Sequence, residues 1–454
     1  MAEIVNIDDR QFKFDISLSS GVSLTKSSVK YMEINCRRPE TGFSEGVLVI
    51  DNTLGALDDV SPFGGDPFSD LIYVYIQALV GEGEEAATPP FERVFSVYSV
   101  EDLPIGDWPR SAKKIKFRET GLQALRTLKN TVSIEDFPEF DDKDTYLLSN
   151  NERSIRSDKY LAKVFEKAGI PVSEDAEYWH RGKCHLPIIS PFGNEYLYDC
   201  IKKIHTRHIY DERPWDYMYT FWDSENVIMK SIPLSKLFSK YVKDKEWVLE
   251  PFILGFSGRV EGGGGSGPEA AKGGSSDLSV VKSMSFRDSS SEELSRKLSA
   301  NSPVIETKNA TRYDTGAGNL LEMWSDYEKF YKKGEWPDDK LEQTPPGVYL
   351  NEKLRKNVLL TGDTQISNLQ NTTYSKDIES RARLFQTALF NSKKINITVR
   401  GMPYRQSGLF ADIASIETES SPKHEKMLGR YWVHSCKHIF SYDKYINDIT
   451  MISP

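Results

Sequence analysis

Cysteine is scarce in this chain of 454 residues, which has four, at Cys36, Cys184, Cys200 and Cys436. No two of them have the Cys-x-x-Cys spacing of zinc or redox sites. A chain of this length also has no need of disulfides to support a core. We therefore expect reduced thiols and synthesis in a cytoplasm.

Long apolar stretches are missing as well. No segment approaches the roughly 18 apolar residues that a membrane-spanning helix needs. The first residues, MAEIVNIDDRQFKF, carry acids where a secretory signal peptide carries bases and an apolar run. The sequence thus predicts a protein made in the cytoplasm without a membrane anchor.

An excess of positive charge is also absent. The chain has 58 lysines and arginines against 67 aspartates and glutamates, which gives a net charge of -9. A protein that grips nucleic acid broadly needs a basic face, so this balance argues against that class. It does not exclude nucleic acid passing beside an acidic wall.

The composition otherwise indicates a globular protein of about two to four domains. In the first part of the chain, apolar and polar residues alternate in runs separated by Gly, Pro and Asp clusters, a pattern typical of half-buried antiparallel strands. We predict strands at 28–36, 46–50, 70–79, 91–100 and 113–118. They form a small β-barrel over 22–118, preceded by an N-terminal arm at 1–21.

Residues 119–254 predict a mixed α/β middle domain. A helix at 157–169 has Ser157 as its expected N-cap and Gly169 at its end. A second helix at 193–205 has Tyr196, Cys200, Ile201 and Ile204 as its apolar stripe. Strands are expected at 216–222, 226–231 and 246–254.

The remainder predicts a second barrel with interruptions. A Gly/Ser-rich linker at 255–276 precedes a strand at 277–286, and a polar insertion covers 301–373. An amphipathic helix at 375–391 then leads into four strands. These strands are expected at 394–400, 408–416, 429–440 and 444–452.

The last of these segments carries a recognisable pattern: a helix, then INITVRGMPYRQSGLFADI, then GRYWVHSCKHIFSYDKYINDITMI. Gly429, Tyr431, Val433 and His438 match the G-x-Y-x-V-x-x-x-x-H strand of a known family. Tyr431 and Val433 share a strand face by their spacing. In this stretch the chain resembles the baseplate central-spike hub proteins of contractile-tailed, T4-like phages. The order of domains agrees over most of the chain, whereas the linker and the insertion depart from it.

The resemblance implies a fold of class α+β, mainly β, with two tube-type antiparallel barrels. The first covers 22–118, and the second covers 277–300 and 374–454 with its attached helix. The implied function is that of a structural hub, a homotrimeric pseudo-sixfold ring that joins the tail tube to the spike. The implied partners are further copies of the chain, the spike, tail tube, tape measure and other baseplate proteins. DNA would pass through the lumen without specific binding, in a virion.

Several motifs that suggest chemistry have plainer interpretations. Asp314-Thr315-Gly316 matches the aspartic-protease triplet, but it occurs once and in a polar insertion, where a turn is expected. The fingerprint-like Gly262, Gly264 and Gly267 lie within a glycine run with no helix after it, so a linker is the better interpretation.

The histidines and cysteines do not define a site from sequence alone. His180, Cys184, His185, Cys200, His205 and His208 lie within thirty residues but without the tight spacing of a zinc site, so metal binding stays open. His434 and His438 fall on one strand face with Trp432 and Cys436 and are expected to pack against the attached helix.

We thus expect no enzyme, with no catalytic, cofactor-binding or metal-binding residues and no cofactor. Two alternatives remain open at this point. The chain could be the hub of a bacterial contractile injection or secretion machine. From another class, it could be a tail-associated cell-wall hydrolase, since paired carboxylates meet in space and not in sequence.

Overall fold

The fold is described from a computed structural model of the full chain. The residues that it describes fall in the following ranges: 3–8, 10–19, 21–37, 41–52, 70–79, 89–105, 108–137, 145–147, 153–182, 185–187, 194–208, 218–223, 226–233, 248–254, 280–288, 304–305, 312–313, 393–415, 427–441 and 443–453.

Strands make up the first quarter of the chain, and all five predicted there are confirmed. The strand predicted at 113–118 is part of a longer one, Trp108–Glu119. We call this set the first half of the sheet. Its strands are β1 (Glu3–Ile7), β2 (Arg10–Leu18), β3 (Ser23–Leu24), β4 (Val29–Arg37), β5 (Ser44–Asp51), β6 (Leu71–Ala78), β7 (Phe91–Ile105) and β8 (Trp108–Glu119).

The prediction of an N-terminal arm at 1–21 is wrong. β1 and β2 form an antiparallel hairpin, and β2 pairs along its length with β6. Phe12, Phe14 and Ile16 are buried at every second position of β2. This is the period of a half-buried strand, and it ties the first residues into the sheet.

The middle of the chain combines helices with short strands, as predicted. Three helices pack around a core of their own, with Leu161, Val164, Phe165 and Ile201 at its centre. The elements are α1 (Thr120–Thr127), a 3-10 turn (Ile134–Asp136), β9 (Thr145–Leu147), β10 (Arg153–Arg156), α2 (Ser157–Lys167), β11 (His185–Pro187), α3 (Leu197–Arg207), β12 (Met218–Asp223) and β13 (Ile228–Pro233).

Two details of these helices differ from the prediction. Ser157 is the first residue of α2 and makes no capping hydrogen bond, because its hydroxyl pairs with the ring of His208 instead. α3 begins at Leu197, so Tyr196 precedes the helix and its side chain is exposed. Gly169 does lie beyond the end of α2 at φ 72°, a conformation that favours glycine.

The second half of the sheet consists of six strands. The strands predicted at 394–400, 408–416, 429–440 and 444–452 are confirmed, and β14 is shorter than predicted. This half comprises β14 (Phe252–Leu254), β15 (Ser283–Asp288), β18 (Lys393–Arg400), β19 (Phe410–Ser415), β20 (Gly429–Ser441) and β21 (Lys444–Ser453). Between them, β16 (Val304–Ile305) and β17 (Arg312–Tyr313) pair with each other.

The two halves form one sheet, which has 14 strands in the described part of the chain. Its main path runs β1-β2-β6-β7-β8-β5-β4-β20-β21-β18-β15. The halves meet where β4 pairs antiparallel with β20, over the register from Arg37 opposite Ser435 to Tyr31 opposite Ser441. We call this strand pair the seam. The sheet is curled and the protein is mainly β, as predicted.

Two cores lie on the inner face of this sheet. The first contains the aromatic residues of β2 and β7, together with Phe440 and Tyr445 from beyond the seam. The second contains apolar residues of β18 to β21, such as Ile397 and Val433. Each fully buried large side chain contributes about 1.5–3 kcal/mol, so the core shared across the seam binds the halves together.

Several predicted segments lie outside the described residues. They are the linker at 255–276, the helix at 375–391 and most of the insertion at 301–373. The boundaries proposed for the two barrels and the middle domain stay a prediction. Among the described helices, none has the length and apolar character needed to cross a membrane.

Candidate functional site at the seam

The residues of the family pattern lie on β20, the strand of the second half that forms the seam. Gly429 is the first residue of β20 and has φ 131°, which favours glycine and lets the chain enter the strand. Tyr431 and Val433 are both buried in the second core. His438 is buried further along the strand, 1% exposed, where the halves meet.

A β-bulge in β20 separates the two ends of this pattern. Val433 pairs with Met451 and Ser435 with Thr450, so His434 is the extra residue of the strand. An extra residue reverses the faces beyond it. The expectation that His434 and Trp432 share a face with Cys436 and His438 is therefore wrong.

The bulge gives the two faces of β20 different neighbours. Trp432 packs edge-on against Tyr219 of β12, with 5.2 Å between ring centroids, and His434 lies beside it. Cys436 and His438 instead turn toward the inner face of the sheet with Val433. The bulge thus brings His438 into the core that joins the halves.

His438 is the centre of a buried polar network. Its Nδ1 lies 2.7 Å from the Tyr445 hydroxyl and 3.2 Å from Asn447 Nδ2, both of which can donate to it. The Phe91 ring of the first half packs against the imidazole at 5.0 Å. Burial lowers the pKa of His438 to about 3, which outweighs the opposite effect of a hydrogen bond to the Arg405 backbone. The ring is therefore neutral at physiological pH and suited to packing.

Asn447 connects this histidine to a buried arginine. Its Oδ1 accepts from the Met402 backbone N–H at 2.7 Å and from Arg405 Nη1 at 3.4 Å. Because its Oδ1 accepts these two hydrogen bonds, its Nδ2 points to His438 and can donate to it. Asn447 is completely buried, and these hydrogen bonds offset the desolvation cost of burying its amide.

Arg405 is the residue of this site that sequence reasoning missed. It is completely buried in the connection between β18 and β19, and its Nε lies 3.0 Å from Glu250 Oε1. Its Nη2 contacts the same oxygen, and its Nη1 donates to the Arg400 carbonyl. A buried guanidinium requires such partners, and here they come from distant parts of the second half. Arg405 occurs in a loop without periodicity, so no pattern marks it.

The β1–β2 turn forms a further tie between the halves. Arg10 Nη1 donates to the Gly401 carbonyl at 2.7 Å. The Asp8 carboxylate lies 3.7 Å from Arg10, 3.6 Å from Arg400 and 3.9 Å from Lys282. One carboxylate thus faces a cation of the first half and two of the second.

The outer face of the seam is also polar but open to solvent. The Tyr31 hydroxyl donates to Glu33 at 2.7 Å, and Lys437 of β20 lies 3.2 Å from the same carboxylate. Burial opposes ionisation of Glu33, but the bonds from Tyr31 and Lys437 outweigh it and lower its pKa. The pair of Glu33 and Lys437 thus crosses the seam at its surface.

This polar character continues across the outer face of the second half. Asn396 donates to Ser285 at 3.0 Å and accepts from Thr450 at 2.8 Å. Thr398 donates to Asp448 at 2.7 Å. Most side chains here are hydroxyls or amides that satisfy one another across strands.

The histidines of the middle domain have separate partners. His205 Nε2 lies 2.8 Å from the Thr220 hydroxyl, and His208 Nδ1 lies 2.9 Å from the Ser157 hydroxyl. All four side chains are buried. Each pair fastens a helix end to a neighbouring element, which is a structural role.

The remaining members of the suggested zinc cluster do not complete a site. Cys200 is buried on the apolar side of α3, and burial raises its pKa to about 12. His180 contacts the Glu177 carbonyl. Cys184 and the side chain of His185 lie outside the described residues, as do Asp314 and the 262–267 glycines. Within the described ranges, no three His, Cys, Asp or Glu side chains are arranged to hold a metal ion.

Comparisons by sequence give no relatives. No protein-family description matches the chain, and no curated protein matches it. Solved structures do align with it along nearly its whole length. A tail protein of Neisseria meningitidis MC58 has 7% identity over 97% of this chain and 96% of its own, with a TM-score of 0.46.

Two further solved structures have similar values. The 43 kDa tail protein of prophage MuSo2 from Shewanella oneidensis has 12% identity over 97% of this chain and 98% of its own, with a TM-score of 0.45. The E. coli c3393 protein, a type VI secretion component similar to T4 tail proteins, has 7% identity, coverages of 97% and 76%, and a TM-score of 0.39. Phage tail proteins are thus among the structures this chain resembles.

Proposed function

We propose that this chain is a structural hub subunit of a phage tail baseplate. Three copies form a ring of pseudo-sixfold symmetry that connects the tail tube to the central spike and gives DNA a channel. The family pattern formed by Gly429, Tyr431, Val433 and His438 on β20 supports this assignment. The partners are the spike, tube, tape measure and other baseplate proteins, and no cofactor is needed.

The continuity of the sheet across the seam is the observation that carries the proposal. A subunit with two β units contributes two of six positions around an axis only if the units keep a fixed relation. Here they share β-ladder hydrogen bonds from Tyr31 to Arg37 and a common aromatic core, in which Phe91 of the first half packs against His438. Such a rigid pair is what a three-copy, six-position ring requires.

The outer face of the sheet has the properties of a channel wall. Several of its charged residues are paired across strands, such as Glu33 with Lys437, and Glu101 with Lys114 and Lys116. Neutralised cations have little capacity to hold phosphates. DNA could pass such a wall without being retained, in keeping with the net charge of -9.

The ends of the strand path are suited to contacts between copies. In the described part of the chain, β1 pairs only with β2 and β15 only with β18. An edge strand offers backbone N–H and C=O groups to another chain. Pairing between an edge of one copy and an edge of the next would close a ring.

The test is the size and shape of the purified full-length chain. Light scattering coupled to size exclusion should give three times the chain mass of 51.7 kDa. Negative-stain images should show rings with an axial hole. A monomer at all concentrations, also when mixed with the spike protein, would refute the proposed ring.

Two alternative functions can each be distinguished from the phage hub by a different observation. A bacterial contractile injection machine would use the same ring, and its genes would stand beside those of a secretion system and not of a virion. A cell-wall hydrolase would clear peptidoglycan in a zymogram with this chain alone. We expect no clearing, and a clear band would replace the hub proposal with an enzyme.

A further inference from the structure

Two of the scarce cysteines meet at the seam. In the register of β4 and β20, Cys36 lies directly opposite Cys436. No disulfide joins them, and both are buried, at 5% and 0% exposure. Their separation in sequence is about 400 residues. The pairing is therefore a product of the fold and is invisible in the sequence spacing.

The register places the two thiols within reach of each other. Directly opposite residues of an antiparallel pair have Cα atoms about 4.5–5.5 Å apart, and their side chains project from the same face. A disulfide needs a Cα separation of about 4.4–6.8 Å. Directly opposite strand positions, such as those of Cys36 and Cys436, fall within this range.

The surroundings of the two cysteines make thiol–disulfide exchange slow in the folded protein. The Ser44 hydroxyl lies 3.4 Å from Cys36 Sγ, and His438 Nε2 lies 3.8 Å from Cys436 Sγ. Burial raises the pKa of Cys436 well above its usual value, so little thiolate exists while the seam is closed. The thiolate is the attacking species, so exchange requires opening of the seam or an open stage of folding.

We propose that Cys36 and Cys436 form a modification site: an intramolecular disulfide that covalently joins the two halves of the sheet under oxidising conditions. The oxidant is a small disulfide such as oxidised glutathione. One cysteine thiolate attacks it and releases one glutathione thiol. The second cysteine then attacks the mixed disulfide and releases the other. Two electrons and the two cysteine protons end on two glutathione thiols.

The consequence is a lock on the seam. The reduced state belongs to the cytoplasm in which the chain is made, and the oxidised state to a medium outside the cell. A bridge that closes a loop of about 400 residues restricts the unfolded chain strongly, so it stabilises the closed seam. The proposal concerns one chain and does not depend on a ring.

The experiment starts from reduced full-length protein, treated with oxidised glutathione both in native buffer and during refolding from urea. The oxidised protein should lose two thiols and two hydrogen atoms of mass, and its peptide map should contain a peptide that joins Cys36 to Cys436. Its melting temperature should exceed that of the reduced protein by about 2–5 °C. The bridge should form faster during refolding than in the native state.

Three variants serve as controls. Cys200→Ser removes a buried thiol in the core around α3, and it should leave the linked peptide and the melting shift intact. Cys36→Ser and Cys436→Ser should each abolish both. If either variant fails to fold, the wild-type peptide map still decides. The proposal would be overturned if the oxidised wild-type protein contained mixed disulfides with glutathione alone, or a bridge to Cys184 or Cys200. Ring formation is read separately by electron microscopy.

Discussion

The two faces of the seam use the same kinds of polar residue in opposite surroundings. On the inner face, Arg405, His438 and Asn447 are sealed among aromatic rings. On the outer face, Tyr31, Glu33 and Lys437 form a chain of bonds of similar length in contact with water. The hydrogen-bond lengths on the two faces are thus similar, whereas the inner face has a lower dielectric constant than the outer face.

This difference decides how much each face contributes to specificity. A buried polar group that loses its partner keeps its desolvation cost, whereas an exposed one recovers its bonds from water. The hydrogen bonds of the inner network lie within the second half and fix the His438 ring, against which Phe91 of the first half packs. The outer pairs tune the charge of the surface and add little stability.

Replacing the buried arginine should have the largest effect. Arg405→Ala removes one donor each from the Glu250 carboxylate, the Arg400 carbonyl and Asn447, and we expect a loss of about 3–5 kcal/mol in the free energy of unfolding. Urea denaturation measures it. The matched control is Arg430→Ala, which removes a half-exposed pair with Asp412 and should cost below about 1 kcal/mol. Equal losses in both variants would show that burial does not set the difference.

Filling the space beside Tyr445 should come next. A Cβ on Gly401 would lie 2.3 Å from Cγ and Cδ2 of the Tyr445 ring, which is completely buried and cannot withdraw. We expect Gly401→Ala to cost about 3 kcal/mol. Gly21→Ala is the control: it has open space but φ 87°, and it should cost about 1 kcal/mol. If Gly401→Ala cost no more than the control, the tight packing at the seam would be refuted.

The buried histidine should make stability depend on pH. Folded His438 resists protonation down to about pH 3, whereas the unfolded chain takes the proton near its ordinary pKa of 6.5. The unfolded state therefore binds more protons between these values, and stability is lost as the pH falls below 6.5, by at most about 1.4 kcal/mol per pH unit.

The check is the slope of unfolding free energy from pH 7 to pH 5 in the wild type and in His438→Asn. The variant keeps an acceptor toward Tyr445 and has no titrating ring, so the wild type should lose about 2 kcal/mol more over this range. Parallel slopes would mean that the ring is not held neutral in the folded protein.

The smallest effect is expected on the outer face. Lys437→Met removes the exposed partner of Glu33 and should change the free energy of unfolding by less than about 1 kcal/mol. The same measurement in 1 M salt should reduce the difference further, because salt screens exposed charges. A loss near that of Arg405→Ala would erase the distinction between the two faces.

The strands and α2 could be predicted because burial imposes a period on the sequence. The alternation in 394–400 and 444–452 gave β18 and β21 almost to the residue. The bulge at His434 could not be predicted, since one inserted residue changes the strand register without changing the composition of the sequence. Arg405 lies in a loop, where no period exists. Ser157 was misassigned because its partner, His208, is 51 residues away and known only from the fold.

The seam joins a strand near the beginning of this sequence to one near its end, which sets an order of events during translation. β4 has its β5 neighbour early, but its other neighbour, β20, is made about 400 residues later. At roughly 5–20 residues per second, the ribosome needs about 20 to 80 seconds to supply it. During that interval β4 is an unpaired edge, and its charged side chains Lys30 and Glu33 are of the type that discourages wrong partners.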